Sequence, residues 1–112
     1  MEINVQQLAQ TTVVSVAGSV DALTVDQLTG ALTGQIGSGH RQLVIDLSQV
    51  DFMSSAGLRA VLAALKESRL HGGDLRLAGA RPGVERTLKM SGVMNILKAY
   101  PALDEAVASF GV

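Results

Sequence analysis

Hydrophobic and polar positions fall into three rhythms along this chain. Ile3, Val5 and Leu8, with Gln6 and Gln7 facing out, predict a first strand. Thr12 to Ala17 is β-branched and apolar and predicts a second strand, paired to the first across Ala9-Gln10-Thr11. Gly18 closes it, and Ser19-Val20-Asp21 reads as a loop. Helical spacing then begins near Thr24, where Thr24 and Gln27 have the form of a capping box, and Leu28, Ala31, Leu32 and Ile36 make an apolar stripe. Arg41 to Leu47 holds a nearly continuous apolar run, Leu43, Val44, Ile45 and Leu47, expected of a strand covered on both faces. Ser48 and Asp51 supply turn chemistry, and Phe52 and Met53 return to apolar surroundings.

Leu58, Val61, Leu62 and Leu65 set the stripe of a second helix. It runs to about His71 and stops at Gly72-Gly73, with Arg69 and His71 in a last turn that favours cations. Leu75, Leu77 and Ala78 predict a strand, and Pro82 suits the first position of a short helix that turns Val84 and Leu88 inward and ends at Ser91-Gly92. Ile96, Leu97 and Ala99 predict a brief strand. Pro101 opens a final helix with Asp104 and Glu105 in its first turn and Leu103, Val107 and Phe110 on its apolar side. The order β-β-α-β-α-β-α-β-α describes a single α/β domain over residues 1–112, with a mixed, mostly parallel sheet of four to five strands.

Composition narrows the functions. At 112 residues the chain buries enough surface for its own core. It has no cysteine, which removes disulfides and thiolate metal sites and fits a reducing, cytoplasmic setting. No apolar run approaches the length of a membrane span, and a net charge of −1 argues against general nucleic-acid binding. Aromatic content of 3% leaves no base-stacking platform. The charge is uneven: up to Ser55 the only base is Arg41, whereas Arg59, Lys66, Arg69, Arg76, Arg81, Arg86, Lys89 and Lys98 all follow it. That pattern reads either as ordinary solvated faces or as a charged docking surface around Ser54 and Ser55.

Gly34-Gln35-Ile36-Gly37-Ser38-Gly39 resembles a phosphate loop only in composition. It lacks the Walker lysine and the dinucleotide spacing, and it stands after a helix and before a strand. His40 and His71 have no helical ligand spacing, and no metal or other cofactor is expected. Neither serine lies in a nucleophile elbow, so the expectation is a binding module and not an enzyme.

Ser54 and Ser55 stand just before the second helix. One serine there caps, its oxygen accepting from an amide of the first turn, and the other keeps a free hydroxyl in the positive field of the helix end. A phosphate on that hydroxyl adds about −1.5 to −2 charge without unfolding the domain. Such a site suits a switch in binding.

Asp46-Leu47-Ser48 followed by Phe52-Met53-Ser54-Ser55-Ala56-Gly57-Leu58 resembles the signature of STAS domains, and within them of the anti-sigma factor antagonists. Gly18-Ser19-Val20-Asp21 and Pro101-Ala102-Leu103-Asp104-Glu105-Ala106 extend the resemblance over nearly the whole chain. The usual motif is Asp-Ser-Ser-Gly-Leu with the phosphoserine before the glycine. Here Ser54 takes the place of the Asp, Ser55 of the first Ser, and Ala56 of the usual phosphoserine.

The resemblance implies helices mainly on one face of the sheet and the other face partly open. It also implies a protein switched by phosphorylation. Its unphosphorylated form binds an anti-sigma factor that is also a serine kinase, phosphorylation releases it, and a PP2C-type phosphatase resets it. Ser55 is the expected acceptor and Ser54 the second choice. Asp21, Asp46, Met53, Ser54, Ser55, Gly57, Leu58 and Arg59 are the expected partner-binding residues, in a monomer or weak dimer. Read from the residues alone, Asp21 holds a turn, Asp46 bonds loop amides or meets the partner, and Met53 either plugs the core or lines an apolar patch with Leu58 and Met94. Ala56 leaves open a second reading, an unswitched STAS subunit of a transport or signalling scaffold.

Overall fold

A computed structural model describes residues 1–111. Five strands form one sheet in the order β1-β2-β3-β4-β5: β1 (Glu2–Leu8), β2 (Thr11–Val20), β3 (Gln42–Met53), β4 (Asp74–Ala78) and β5 (Ala99–Tyr100). β1 runs antiparallel to β2, and the remaining neighbours are parallel. The helices are α1 (Val25–Gly37), α2 (Ser55–Leu70), α3 (Pro82–Met90) and α4 (Leu103–Ala108), with a 3₁₀ turn at Val93–Asn95.

The two faces differ as the strand pattern requires. Leu43, Ile45 and Leu47 of β3 pack with Leu28, Leu32 and Ile36 of α1, Val61 and Leu65 of α2, and Val84 and Leu88 of α3. Val44, of the opposite parity, joins Val13, Ala78 and Ala106 of α4. Among the described residues, three helices therefore cover one face and only the short α4 covers part of the other. Arg76 fixes α4 by lying over the Phe110 ring at 4.0 Å and donating to Ser109 Oγ at 2.7 Å.

Several expectations are corrected. Ser19-Val20 is the end of β2 and not a loop. Ser48 and Asp51 do not end β3. They lie at two places where β3 gains a residue on β2, between the pairs Ser15–Asp46 and Ala17–Gln49 and again between Gly18–Val50 and Ser19–Phe52. Turn-prone residues are expressed here as β-bulges. Each bulge resets the alternation, so the inward side chains are Leu43, Ile45 and Leu47 and then Val50 and Met53. Phe52 consequently faces out, 54% exposed.

The Thr24–Gln27 capping box does not form. Thr24 Oγ1 instead accepts from the Asp21 N–H and donates to the Ser19 carbonyl. Ile96 and Leu97 precede β5 and are not part of it, and α4 starts at Leu103, two residues beyond Pro101. Gly34 to Gly39 is the end of α1 and its turn.

Candidate functional site

β3 outruns β4. Their pairing ends at Asp46–Ala78, while β3 continues beside β2 to Val20–Met53. This extension, flanked by β1 as far as Ala17 and two-stranded beyond it, carries α2 from its tip. Arg81, at the start of α3, holds its free edge: Nε donates to the Ser48 carbonyl at 2.9 Å and Nη1 to Asp51 at 2.7 Å. No local pattern marks Arg81 for this role, because it depends on a bulge exposing one carbonyl.

At the tip the Ser54 N–H donates to the Val20 carbonyl at 2.8 Å. That bond joins the end of β3 to the end of β2 and brings Asp21 beside the serines. Ser54 is extended (φ −84°, ψ 174°), and its Oγ accepts from the Gly57 N–H at 3.4 Å, so it caps α2. Ser55 is the first helical residue and is exposed; its hydroxyl has no part in the cap. Ala56, in the second helical position, is half-buried. Arg59 is one turn beyond Ser55 on the same side of the helix and is exposed. Leu58 is half-buried and packs on the core.

Gly57 explains how the helix can start so close to the sheet. A Cβ there would stand 2.7 Å from Val20 Cγ1 and 3.0 Å from Met53 Cγ. Both neighbours are buried, Val20 at 0% and Met53 at 2% exposure. Met53 thus takes the core alternative and lines no surface patch, and Met94 likewise packs on the core. Met53 and Gly57 support the serines from below.

Asp21 holds the loop into α1: Oδ1 accepts from the Leu23 N–H at 2.9 Å and the Thr24 N–H at 3.2 Å. Leu23, next to it, is 93% exposed and was not singled out in the sequence. Asp46 is the one expected site residue set apart. It precedes Ser54 by eight residues of bulged strand, on the order of 20 Å. Its carboxylate accepts from the Ser48 N–H at 3.0 Å and fixes the first bulge. Gly79 passes alongside with φ +70°, and a Cβ there would meet Ser48 Cβ at 3.2 Å and Asp46 Oδ1 at 3.3 Å.

No group of His, Cys, Asp and Glu able to hold a metal occurs among the described residues. No helix among them is long and apolar enough to cross a membrane. The fold and site define a small α/β domain with an exposed hydroxyl at the start of a helix, Ser55, beside a serine that caps it.

The STAS domain family model matches residues 2–106, and the chain belongs to that family. It is 31% identical over 110 residues to BtrV of Bordetella bronchiseptica, named as an anti-sigma factor antagonist, covering 98% of this chain and 95% of that one. Among solved structures, an anti-sigma factor antagonist from Mycobacterium paratuberculosis superposes with TM-score 0.89 at 29% identity, covering 96% of this chain and 92% of that one. The anti-sigma factor antagonist SpoIIAA in its unphosphorylated form gives 0.84 at 21% identity, covering 97% and 96%, and shares the fold.

Proposed function

We propose that this protein is an anti-sigma factor antagonist that works by partner switching in the cytoplasm. Unphosphorylated, it binds an anti-sigma factor that is also a serine kinase and so frees that factor's other client. The kinase transfers phosphate from its own ATP to Ser55, the complex separates, and a PP2C-type phosphatase restores the binding form.

The observation that carries this reading is the division of labour between the serines: Ser54 caps α2, and Ser55, exposed at the first helical position, is free to be modified. A dianion at Ser55 lies in the favourable field of the helix end, so the domain tolerates it. The same dianion in an interface formed around a neutral hydroxyl must shed its water. Where the partner offers it no cation, that burial costs several kcal/mol, enough to separate a complex of ordinary affinity.

The relatives named as anti-sigma factor antagonists support the partner class. The exposed residues Leu23, Ser55 and Arg59 form the contact surface, with Asp21 holding its loop and Met53, Ser54 and Gly57 holding the helix start. Asp46 contributes by fixing the strand that carries them.

The test is affinity for the cognate anti-sigma factor by calorimetry. Ser55→Ala retains binding, and Ser55→Asp loses it by tenfold or more. Equal affinities for the two variants overturn the reading.

One observation favours the second reading, an unswitched scaffold subunit: Ala56 stands where the family's usual phosphoserine does. A sulfate transporter family protein from Wolinella succinogenes has the same fold, with TM-score 0.79 at 18% identity. On that reading neither serine accepts phosphate, and the natural partner is a transporter component.

A further inference from the structure

The two edges of the sheet are built differently. β5 has two residues and is followed at once by Pro101, which cannot extend a ladder. β1 offers seven residues, Glu2–Leu8, in unbroken register with β2. Natural edges of that length are normally guarded by lysine, proline, a bulge or a covering element. β1 has no lysine, no proline and no bulge, and its one charge, Glu2, stands at its start. Residues 4–7 are all exposed, with Val5 at 39%.

The hairpin fixes which backbone groups point outward. Leu8 pairs with Thr11 across the two-residue turn Ala9-Gln10, where Ala9 has φ +56°. In a two-residue hairpin the closing pair exchanges both hydrogen bonds, and bonded pairs recur at every second residue. Leu8, Gln6, Asn4 and Glu2 therefore bond to β2, and Gln7, Val5 and Ile3 turn their N–H and C=O groups outward. The 2.9 Å bond from Thr12 Oγ1 to Gln7 Oε1 agrees, since side chains approach closest across a non-bonded pair. The three outward residues are symmetric about Val5.

We propose that β1 pairs antiparallel with β1 of a second copy of this chain about a two-fold axis through Val5, joining two five-stranded sheets into one. Val5 then faces Val5, and each Ile3 faces the other copy's Gln7. Asn4 faces Gln6, and Glu2 faces Leu8. No like charges are opposed, the exposed valines cover one another, and all outward groups of residues 3, 5 and 7 find partners. A single strand pair buries less than a standard interface, so the dimer is weak and concentration-dependent. Ser55 lies at the end of the sheet extension and not on this edge, so the dimer leaves it open. The inference is independent of the switching role.

The test is sedimentation equilibrium of the whole chain from micromolar to millimolar concentration, with hydrogen exchange at both ends of the range. The weight-average mass rises from 11.6 kDa toward twice that value, and the amides of Ile3, Val5 and Gln7 alone slow with concentration. Val5→Lys and Val5→Glu each stay monomeric, because like charges then oppose one another, while their equimolar mixture associates. Circular dichroism and melting of each variant show that it is folded. A mass that stays at 11.6 kDa throughout, or Lys and Glu variants that fail to associate when mixed, overturns the inference.

Discussion

Replacing Gly57 by alanine tests how α2 is seated. Two opposing effects follow. Alanine in a helix gains about 0.5–1 kcal/mol over glycine through backbone entropy. Against that, the new Cβ would lie 2.7 Å from Val20 Cγ1, on a stiff, β-branched side chain that is fully buried. Met53 Cγ, at 3.0 Å, closes the other side. Overpacking of this kind costs about 1–3 kcal/mol, so the net loss is on the order of 0.5–2 kcal/mol. For a domain of this size that lowers the melting temperature by several degrees, roughly 4 °C for each kcal/mol. The control is Gly30→Ala in α1, where nothing lies within 4 Å of the added methyl. It should raise stability by about 0.5–1 kcal/mol. Urea unfolding of both variants beside the parent chain decides the matter. A Gly57→Ala protein as stable as Gly30→Ala would refute the close seating of the helix on Val20 and Met53.

The two serines should separate in stability measurements: Ser54→Ala loses about 0.5–2 kcal/mol with its cap, whereas Ser55→Ala stays within about 0.5 kcal/mol of the parent. Ser55→Asp should gain about 0.3–1 kcal/mol in thermal melts at low salt, and the gain should shrink as salt is raised. Asp74 sets an acid limit. Burial alone would raise its pKa, but hydrogen bonds from Arg76, the Leu75 N–H and Arg69, with the charge of Arg69, outweigh this and hold it below the usual 3.8. A carboxyl lowered in the folded state contributes stability above its unfolded pKa and loses it as pH falls through the folded one. Asp74→Asn should therefore flatten the stability decline below about pH 4, measured by urea unfolding across pH. A double-mutant cycle on Arg81 and Asp51, both partly exposed, should return a coupling of no more than about 1 kcal/mol.

Much of this architecture was legible in the residues because periodicity and punctuation agreed. Leu58, Val61 and Leu65 between Ser54 and Gly72 define α2 without ambiguity, and Pro82 marks the start of α3. The apolar period from Leu58 puts both serines at the helix start, but which of two identical hydroxyls caps follows only from the extended backbone of Ser54 and the bond it accepts from the Gly57 N–H. The full length of β3 is hidden in the sequence because Ser48 and Asp51 carry the same chemistry in a turn and in a bulge. Only pairing with β2 distinguishes the two, and pairing is not a local property of the chain. Thr24 followed the same logic: a capping box and a loop clasp use the same hydroxyl, and the clasp won because the Ser19 carbonyl lies within reach. Arg81 at the β3 edge and the position of Asp46 away from the serines depend on contacts between distant residues, which no local pattern reports.

On the proposed reading, the exposed serine at the start of α2 takes the phosphate while its neighbour keeps the cap. Incubation with the cognate kinase and ATP, followed by intact-mass and fragment spectra, shows where the phosphate goes. The expected product carries a single phosphate on Ser55, still melts as a folded domain and no longer binds the kinase. Phosphate on Ser54, or no phosphate on either serine, would contradict that reading.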